Sequence, residues 1–252
     1  MLTIERIQRL EETGIVRCGF TTGDGKWAYA EDEYNYVSLA EAFGTSADRI
    51  VRVRQKHTAR ILKVSEAQAG EGAVRPGDDV LRDGMITNIP GIVLALVTAD
   101  CVPVFLVDSV KKAIGAVHSG WKGTALGIAP TAVRMMHEEY NSDPKDIIVT
   151  LGAHVCKNCY EVGEELKEEF NPIFSDGEIE QFFLPKTRSI DDEQKYLLDL
   201  QRAISISLIK NGVKPENISD ISRCTYEDSA LFSWRRDHRL HQSILSAIEL
   251  IE

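Results

Sequence analysis

The chain has 252 residues, 39 acidic and 29 basic, for a formal charge of −10. Apolar residues make up 43% and charged residues 27%, enough to bury a sizeable core, which excludes disorder as the main state. The longest unbroken apolar run, Ile92 to Val97, falls far short of the roughly 20 residues of a membrane span. The negative balance argues against a nucleic-acid surface, which needs clustered Lys and Arg. The opening residues, MLTIERIQRLEETG, carry charges throughout and no apolar h-region, so no signal peptide is expected and the chain reads as cytoplasmic. Five cysteines, at 18, 101, 156, 159 and 224, are an odd count. That leaves metal ligand, nucleophile or small buried residue as the useful readings.

No internal repeat or Pro/Gly/Ser linker divides the sequence, so one domain over 1–252 is expected. In chain order, strand-length apolar runs occur at Ile50–Val53, Ile61–Val64, Ile92–Val97, Val102–Val107, Ala113–Val117 and Ile147–Leu151. Ile221 belongs to a later strand near Cys224. The polar stretches Glu66–Asp79 and Lys186–Lys195 read as loops. Helical spacing covers Thr124–Tyr140, where Pro130 marks a kink or a later start. Further helices are expected at Glu161–Phe170, at Tyr196–Lys210 with a stop at Asn211-Gly212, and at Leu240–Ile251. Strands mixed with helices give an α/β or α+β domain, and the short connections imply some antiparallel pairing.

Three segments place a reactive side chain where a strand-like run ends: RQKHTARI with His57, LALVTADCVPVFLVD with Cys101, and AIGAVHSGWKGTALG with His118. Two imidazoles and a thiolate are a donor set that zinc prefers, with a fourth position open as in catalytic sites. Spacing alone does not decide this, because a buried cysteine and two hydrogen-bonded histidines explain the same residues. Asp100 is placed to orient a ligand or move a proton, or to cap a turn. Asp83 in RDGMIT is either part of the DGMITNIPG motif or a turn residue with Gly84, and both explain it. Arg235 and Arg236 point to opposite faces of an extended segment, so one can hold an anion while the other pairs on the surface. Lys122 is a second anion candidate, and Trp121 either walls a pocket or packs.

Cys156-x-x-Cys159 lacks a second CxxC to complete a four-cysteine metal site, so packing near the cleft is the expectation for the pair. Cys18 and Cys224 read as core. His137, His238 and His241 read as surface residues, and Glu164, Glu165, Glu168 and Glu169 as a solvated face.

The segments DGMITNIPG, TADCVP, AVHSGWKG, CYEVGEE and FSWRRD resemble, in this order, the bacterial YfiH/YlmD-like family. It is known both as the multicopper polyphenol oxidase (laccase) family and as a purine nucleoside phosphorylase family, and it has FAMIN-like relatives. The resemblance implies an α/β/β/α fold of mixed sheets flanked by helices. It implies a zinc ion, with copper as the other possibility, on His57, Cys101 and His118. It also implies phosphorolysis of adenosine, inosine, guanosine or methylthioadenosine, and deamination of adenosine. On that reading Cys101, His118 and Asp100 are catalytic candidates. Lys122, Arg235 and Arg236 are candidates for holding phosphate, and the partners are small molecules. The rivals are a copper-dependent phenol oxidase, a cysteine hydrolase with Cys101 as nucleophile, and an inactive metal- or nucleoside-binding protein. The departures from the family pattern are Gly23 where an Arg is usual, Lys26 for a Gly, Thr58 for a Gly, and HRLHQ after the Arg-Arg-Asp.

Overall fold

The computed structural model describes residues 3–23, 36–186, 194–238 and 243–251. A five-stranded sheet has the order β1 (Thr3–Arg6), β2 (Val16–Thr22), β14 (Ile244–Leu250), β6 (Val93–Thr98), β3 (Ile50–Arg52). A six-stranded sheet has the order β13 (Ile218–Asp220), β9 (Ile147–Leu151), β7 (Val102–Asp108), β8 (Ala113–Ser119), β5 (Gly84–Thr87), β4 (Ile61–Lys63). A third, smaller sheet joins β10 (Glu161–Gly163), β12 (Lys195–Leu198) and β11 (Phe183–Pro185). Most neighbours are antiparallel, while β3 with β6, β4 with β5 and β13 with β9 run parallel.

Side-chain alternation sets the layers. In β7, Val104 and Leu106 face one core while Phe105 and Val107 face another. In β6, Leu94 and Leu96 face Phe105 and Val107, while Val93 and Ala95 point the other way. The two large sheets therefore pack face to face. Helix α2 (Tyr36–Phe43) covers the outer face of the first through Leu39 and Phe43. Helices α4 (Ile128–Tyr140) and α6 (Leu200–Lys210) cover the outer face of the second. The mixed α/β architecture, layered α/β/β/α, is the expected one. Short helices α1 (Gln8–Glu11), α3 (Trp121–Ala125), α5 (Asp176–Ile179) and α7 (Trp234–Asp237) fill the connections. Among the described residues no helix is long and apolar enough to cross a membrane.

The expected strands from Ile92 to Leu151 form nearly as read, because strands buried on both faces give continuous apolar runs. The expected helix at Leu240–Ile251 is corrected. Ile244–Leu250 is a strand hydrogen-bonded between β2 and β6, with Ile244 and Ile248 toward one core and Leu245 and Ala247 toward the other. Burial on both faces hides its period of two, and pairing on both edges overrides local preference. The region Glu161–Phe170 is strand β10 followed by a 3-10 segment, and Tyr196–Lys210 divides into β12 and α6. Asp199 makes that division by accepting from the Arg202 N–H at 2.9 Å as N-cap. Pro130 marks a later helix start: Gly127, at φ +71°, separates α3 from α4 and leaves Pro130 in the first turn. Ile221 lies just beyond β13, and strands β1, β5 and β11 fall outside the expected runs. Most of Lys186–Lys195, together with Lys26 and His241, lies outside the described residues.

The Phe105 ring is fully buried between the two sheets. Phe105→Ala should lower stability by about 3–5 kcal/mol in urea unfolding, with little change in the slope of the transition. A loss below about 1 kcal/mol would contradict a tightly packed interface there.

Candidate metal centre and its cleft

The site forms where the chain crosses between the two large sheets. One crossing leads from β3 to β4 and carries His57. A second leads from β6 to β7 and carries Cys101. His118 is in β8, paired with Pro103 of β7. The donor atoms of His57, Cys101 and His118 lie within 4.8 Å of one another. Cys101 Sγ is 3.8 Å from His57 Nε2, and the two imidazole centroids are 4.9 Å apart.

Asp83 organises this cluster and is fully buried. Its carboxylate accepts three successive backbone N–H groups, from Lys56 at 3.1 Å, His57 at 2.8 Å and Thr58 at 2.6 Å. It also bonds His118 Nδ1 at 2.8 Å, which leaves Nε2 of that ring for Cys101. The backbone of Asp83 accepts from the His118 N–H at 2.7 Å. A carboxylate behind a histidine fixes ring orientation and raises basicity, as in carboxylate–histidine–metal arrangements. Of the two readings of Asp83, the turn with Gly84 does not account for these bonds. Asp83 is a buried acceptor that holds a loop and a ring together.

His57 has φ +61° and Asp100 has φ +86°, both in the left-handed region that non-glycine residues avoid. The carboxylate nest holds the first. The second is held by its own contacts: the Asp100 carboxylate accepts from Thr225 Oγ1 at 2.6 Å and from the Arg235 backbone N–H at 2.7 Å. Its carbonyl accepts from the Val155 N–H at 3.0 Å. Both oxygens of Asp100 are thus engaged in positioning the segment that bears Arg235.

The electrostatics are those of a charge-separated set. Burial would raise the Cys101 thiol, but the His118 and His57 rings outweigh it and hold the thiol at about 6. Burial would lower His118, but the thiolate and Asp83 raise it to about 9. Burial would raise Asp83, but its His118 and backbone donors hold it at about 2. A thiolate, two imidazoles and a carboxylate behind one of them suit a divalent cation. Gly120 also fits this use: a Cβ there would stand 2.6 Å from Cys101 Sγ and 3.1 Å from His57 Cδ2. Any side chain would fill the space among the donors.

The cluster opens into a cleft of about 680 Å³. Trp121, Tyr160 and Trp234 give it aromatic surfaces, and Arg52, Arg54, Lys56 and Arg235 give it cations. Arg235 lies over the Tyr160 ring at 4.9 Å and donates from Nη2 to the Glu161 carbonyl at 3.0 Å. Arg236 turns away. Its guanidinium donates to the carbonyls of Thr225, Tyr226, Asp228 and Leu231 and to the Asp237 carboxylate, and it does not line the cleft. Lys122 is exposed, with its ammonium 5.2 Å above the Trp121 ring, and it also stays out of the cleft. Lys56 and Arg54 were missed as cleft cations. Their place in RQKH, next to His57, was the available signal.

Cys18 is core as expected, but Cys224 is not. It is half-buried beside Cys156, Cys159 and the exposed Glu227, and the four donor atoms lie within 4.8 Å of one another. His137 and His238 are exposed as expected.

The mixed-sheet fold and the His/Cys/His cluster define a candidate metal centre on an α/β/β/α scaffold. The chain belongs to the family described as multi-copper polyphenol oxidoreductase laccase, whose model matches residues 13–250. It is 32% identical to purine nucleoside phosphorylase YlmD of Bacillus subtilis (strain 168), over 86% of this chain and 77% of that protein. It is 32% identical to the mouse protein purine nucleoside phosphorylase LACC1, over 74% of this chain but only 39% of that longer protein. Adenosine deaminase RL5, from an unknown prokaryotic organism, is 30% identical over 79% of this chain and 74% of its own length. The crystal structure of Bacillus licheniformis hypothetical protein YfiH superposes with a TM-score of 0.87 at 30% identity, covering 98% of this chain and 96% of that one.

Asp83→Asn should weaken divalent-metal binding by about 10- to 100-fold in a chelator competition, because an amide cannot accept from all four donors. An affinity within twofold of the parent chain would show that the carboxylate does not orient the donors.

Proposed function

We propose that the chain is a zinc-dependent purine nucleoside phosphorylase that also deaminates adenosine. The observation that carries this reading is that one cleft joins the His57–Cys101–His118 donors to aromatic walls and a group of cations. The names of the relatives supply the substrate class. A zinc ion on the three donors would supply Lewis acidity and nucleophilic water near neutral pH.

In phosphorolysis, a phosphate oxygen attacks C1′ as the C1′–N9 bond breaks. The purine leaves with a proton, and ribose 1-phosphate forms. Arg235 is the proposed phosphate holder, because its planar fork lines the cleft and only one bond, to Glu161, ties down its guanidinium among the described residues. Lys56 and Arg54 line the same cleft and add positive charge. Trp121 and Tyr160 offer faces for the base. Burial keeps the Tyr160 phenol protonated, with the Cys101 charge acting in the same direction, so it remains a hydrogen-bond donor to the purine. In deamination, water adds at C6 and ammonia leaves. Cys101 and His118 act as donors to the metal in both reactions, and Asp100 positions Arg235 rather than moving a proton. Copper would fit the same donors. Six histidines in the sequence, with only His57 and His118 lining the cleft among the described residues, supply too few ligands for a multinuclear copper centre.

Zinc-loaded protein given adenosine should release adenine in a phosphate-saturable manner and form inosine without phosphate. Arg235→Ala should lower the phosphate-dependent rate by about 10- to 150-fold, the loss of one charge-assisted hydrogen bond of roughly 1.5–3 kcal/mol, and should affect deamination much less. Lys122→Ala should change neither product. Failure of both products with the parent chain would overturn the enzyme reading. An unchanged adenine-to-inosine ratio in Arg235→Ala would place phosphate elsewhere.

A further inference from the structure

Outside the cleft, two chain segments far apart in sequence bring four donors together. Cys156-x-x-Cys159 lies between β9 and β10, and Cys224-x-x-Glu227 follows β13. The missing partner of the first CxxC is thus a CxxE, with a carboxylate in the last place. The three thiols are free, and the four donor atoms lie within 4.8 Å of one another. Cys159 Sγ stands 3.4 Å from Glu227 Oε1. A tetrahedral zinc ion with Zn–S bonds of about 2.3 Å sets sulfurs roughly 3.8 Å apart, so a small contraction of this cluster would close it.

The backbone around the sulfurs points to the same use. Cys224 Sγ accepts from the Cys156 N–H at 3.3 Å, which joins the two segments at their first sulfurs. Such a donor stabilises a thiolate and offsets the charge of a thiolate-rich metal site. The cluster borders a cleft of about 530 Å³ lined by Lys157, Asn158, Arg223 and Asp228, which gives an ion an entry path.

We propose that Cys156, Cys159, Cys224 and Glu227 form a second, structural zinc site, independent of the His57–Cys101–His118 centre. With four protein ligands it is closed, unlike the three-donor set in the cleft. It fastens the 156–160 loop to the 224–237 segment. Tyr160 directly follows Cys159, and Thr225, which bonds Asp100, directly follows Cys224. The ion therefore holds together the two segments that bring Tyr160 and Arg235 to the cleft, and the expected packing role of this cysteine pair is replaced by ligation.

Metal analysis of the reduced full chain separates the two sites. The parent chain should hold two zinc ions per chain, and the His57→Ala/Cys101→Ala/His118→Ala variant should keep one. In that variant zinc should protect Cys156, Cys159 and Cys224 from alkylation together, as read by peptide mass spectrometry. Cobalt in its place should show the strong sulfur-to-metal charge-transfer bands of a three-thiolate site. Cys156→Ser/Cys159→Ser in the parent chain should lose one zinc, whether or not its fold weakens, and Glu227→Gln should bind zinc more weakly with the charge-transfer bands retained. No zinc in the His57/Cys101/His118 variant, with all three thiols alkylated equally in the presence and absence of zinc, would overturn the proposal. So would a disulfide within the trio whose reduction restores no zinc uptake.

Discussion

A single buried carboxylate, Asp83, carries the geometry of the cleft. It accepts three consecutive N–H groups from the crossing that bears His57 and also bonds the ring of His118. Without it, a left-handed His57 backbone and a buried imidazole would each need another anchor. Charge-assisted bonds inside a protein are stronger than neutral ones, and an unpaired carboxylate there would be costly. The interaction therefore works both ways: the loop and ring make the buried charge tolerable, and the charge fixes the loop and ring.

The sheets supply the rest of the frame. Both crossings that carry site residues pass from one large sheet to the other, so the face-to-face packing of those sheets sets the distance between His57 and Cys101. Gln55 reinforces the first crossing by bonding both backbone groups of Val97, at 2.7 and 2.9 Å, next to the second. Gly120 keeps the space among the donors open, and Asp100 carries the frame onward to Arg235. A rigid donor set thus faces a more exposed wall of aromatic and basic side chains, a division suited to a fixed metal and an exchanging substrate.

Much of this is legible in the sequence. The central strands read well because burial on both faces leaves them continuously apolar, and His57, Cys101 and His118 stand out where those runs end. The same physics hides β14, whose two buried faces imitate a helical stripe. Asp83 is not legible as an organiser, since it acts on backbone groups 25 to 27 positions away that no residue type announces. Arg235 and Arg236 differ only through the fold, one at the cleft and one enclosed by carbonyls. Glu227 escapes a search for a second CxxC because a carboxylate takes the place of a sulfur, and Cys224 passes as core until β13 carries it beside Cys156.

The proposed chemistry requires an ion held among His57, Cys101 and His118 with Asp83 behind the second ring. Anomalous diffraction at the zinc edge from crystals of the loaded chain tests it. The expected result is a peak about 2.0–2.1 Å from one nitrogen of each imidazole and about 2.3 Å from Cys101 Sγ, with His118 Nδ1 still bonded to Asp83. Absence of a peak at those donors in zinc-saturated crystals, or a His118 ring turned away from Asp83, would contradict it.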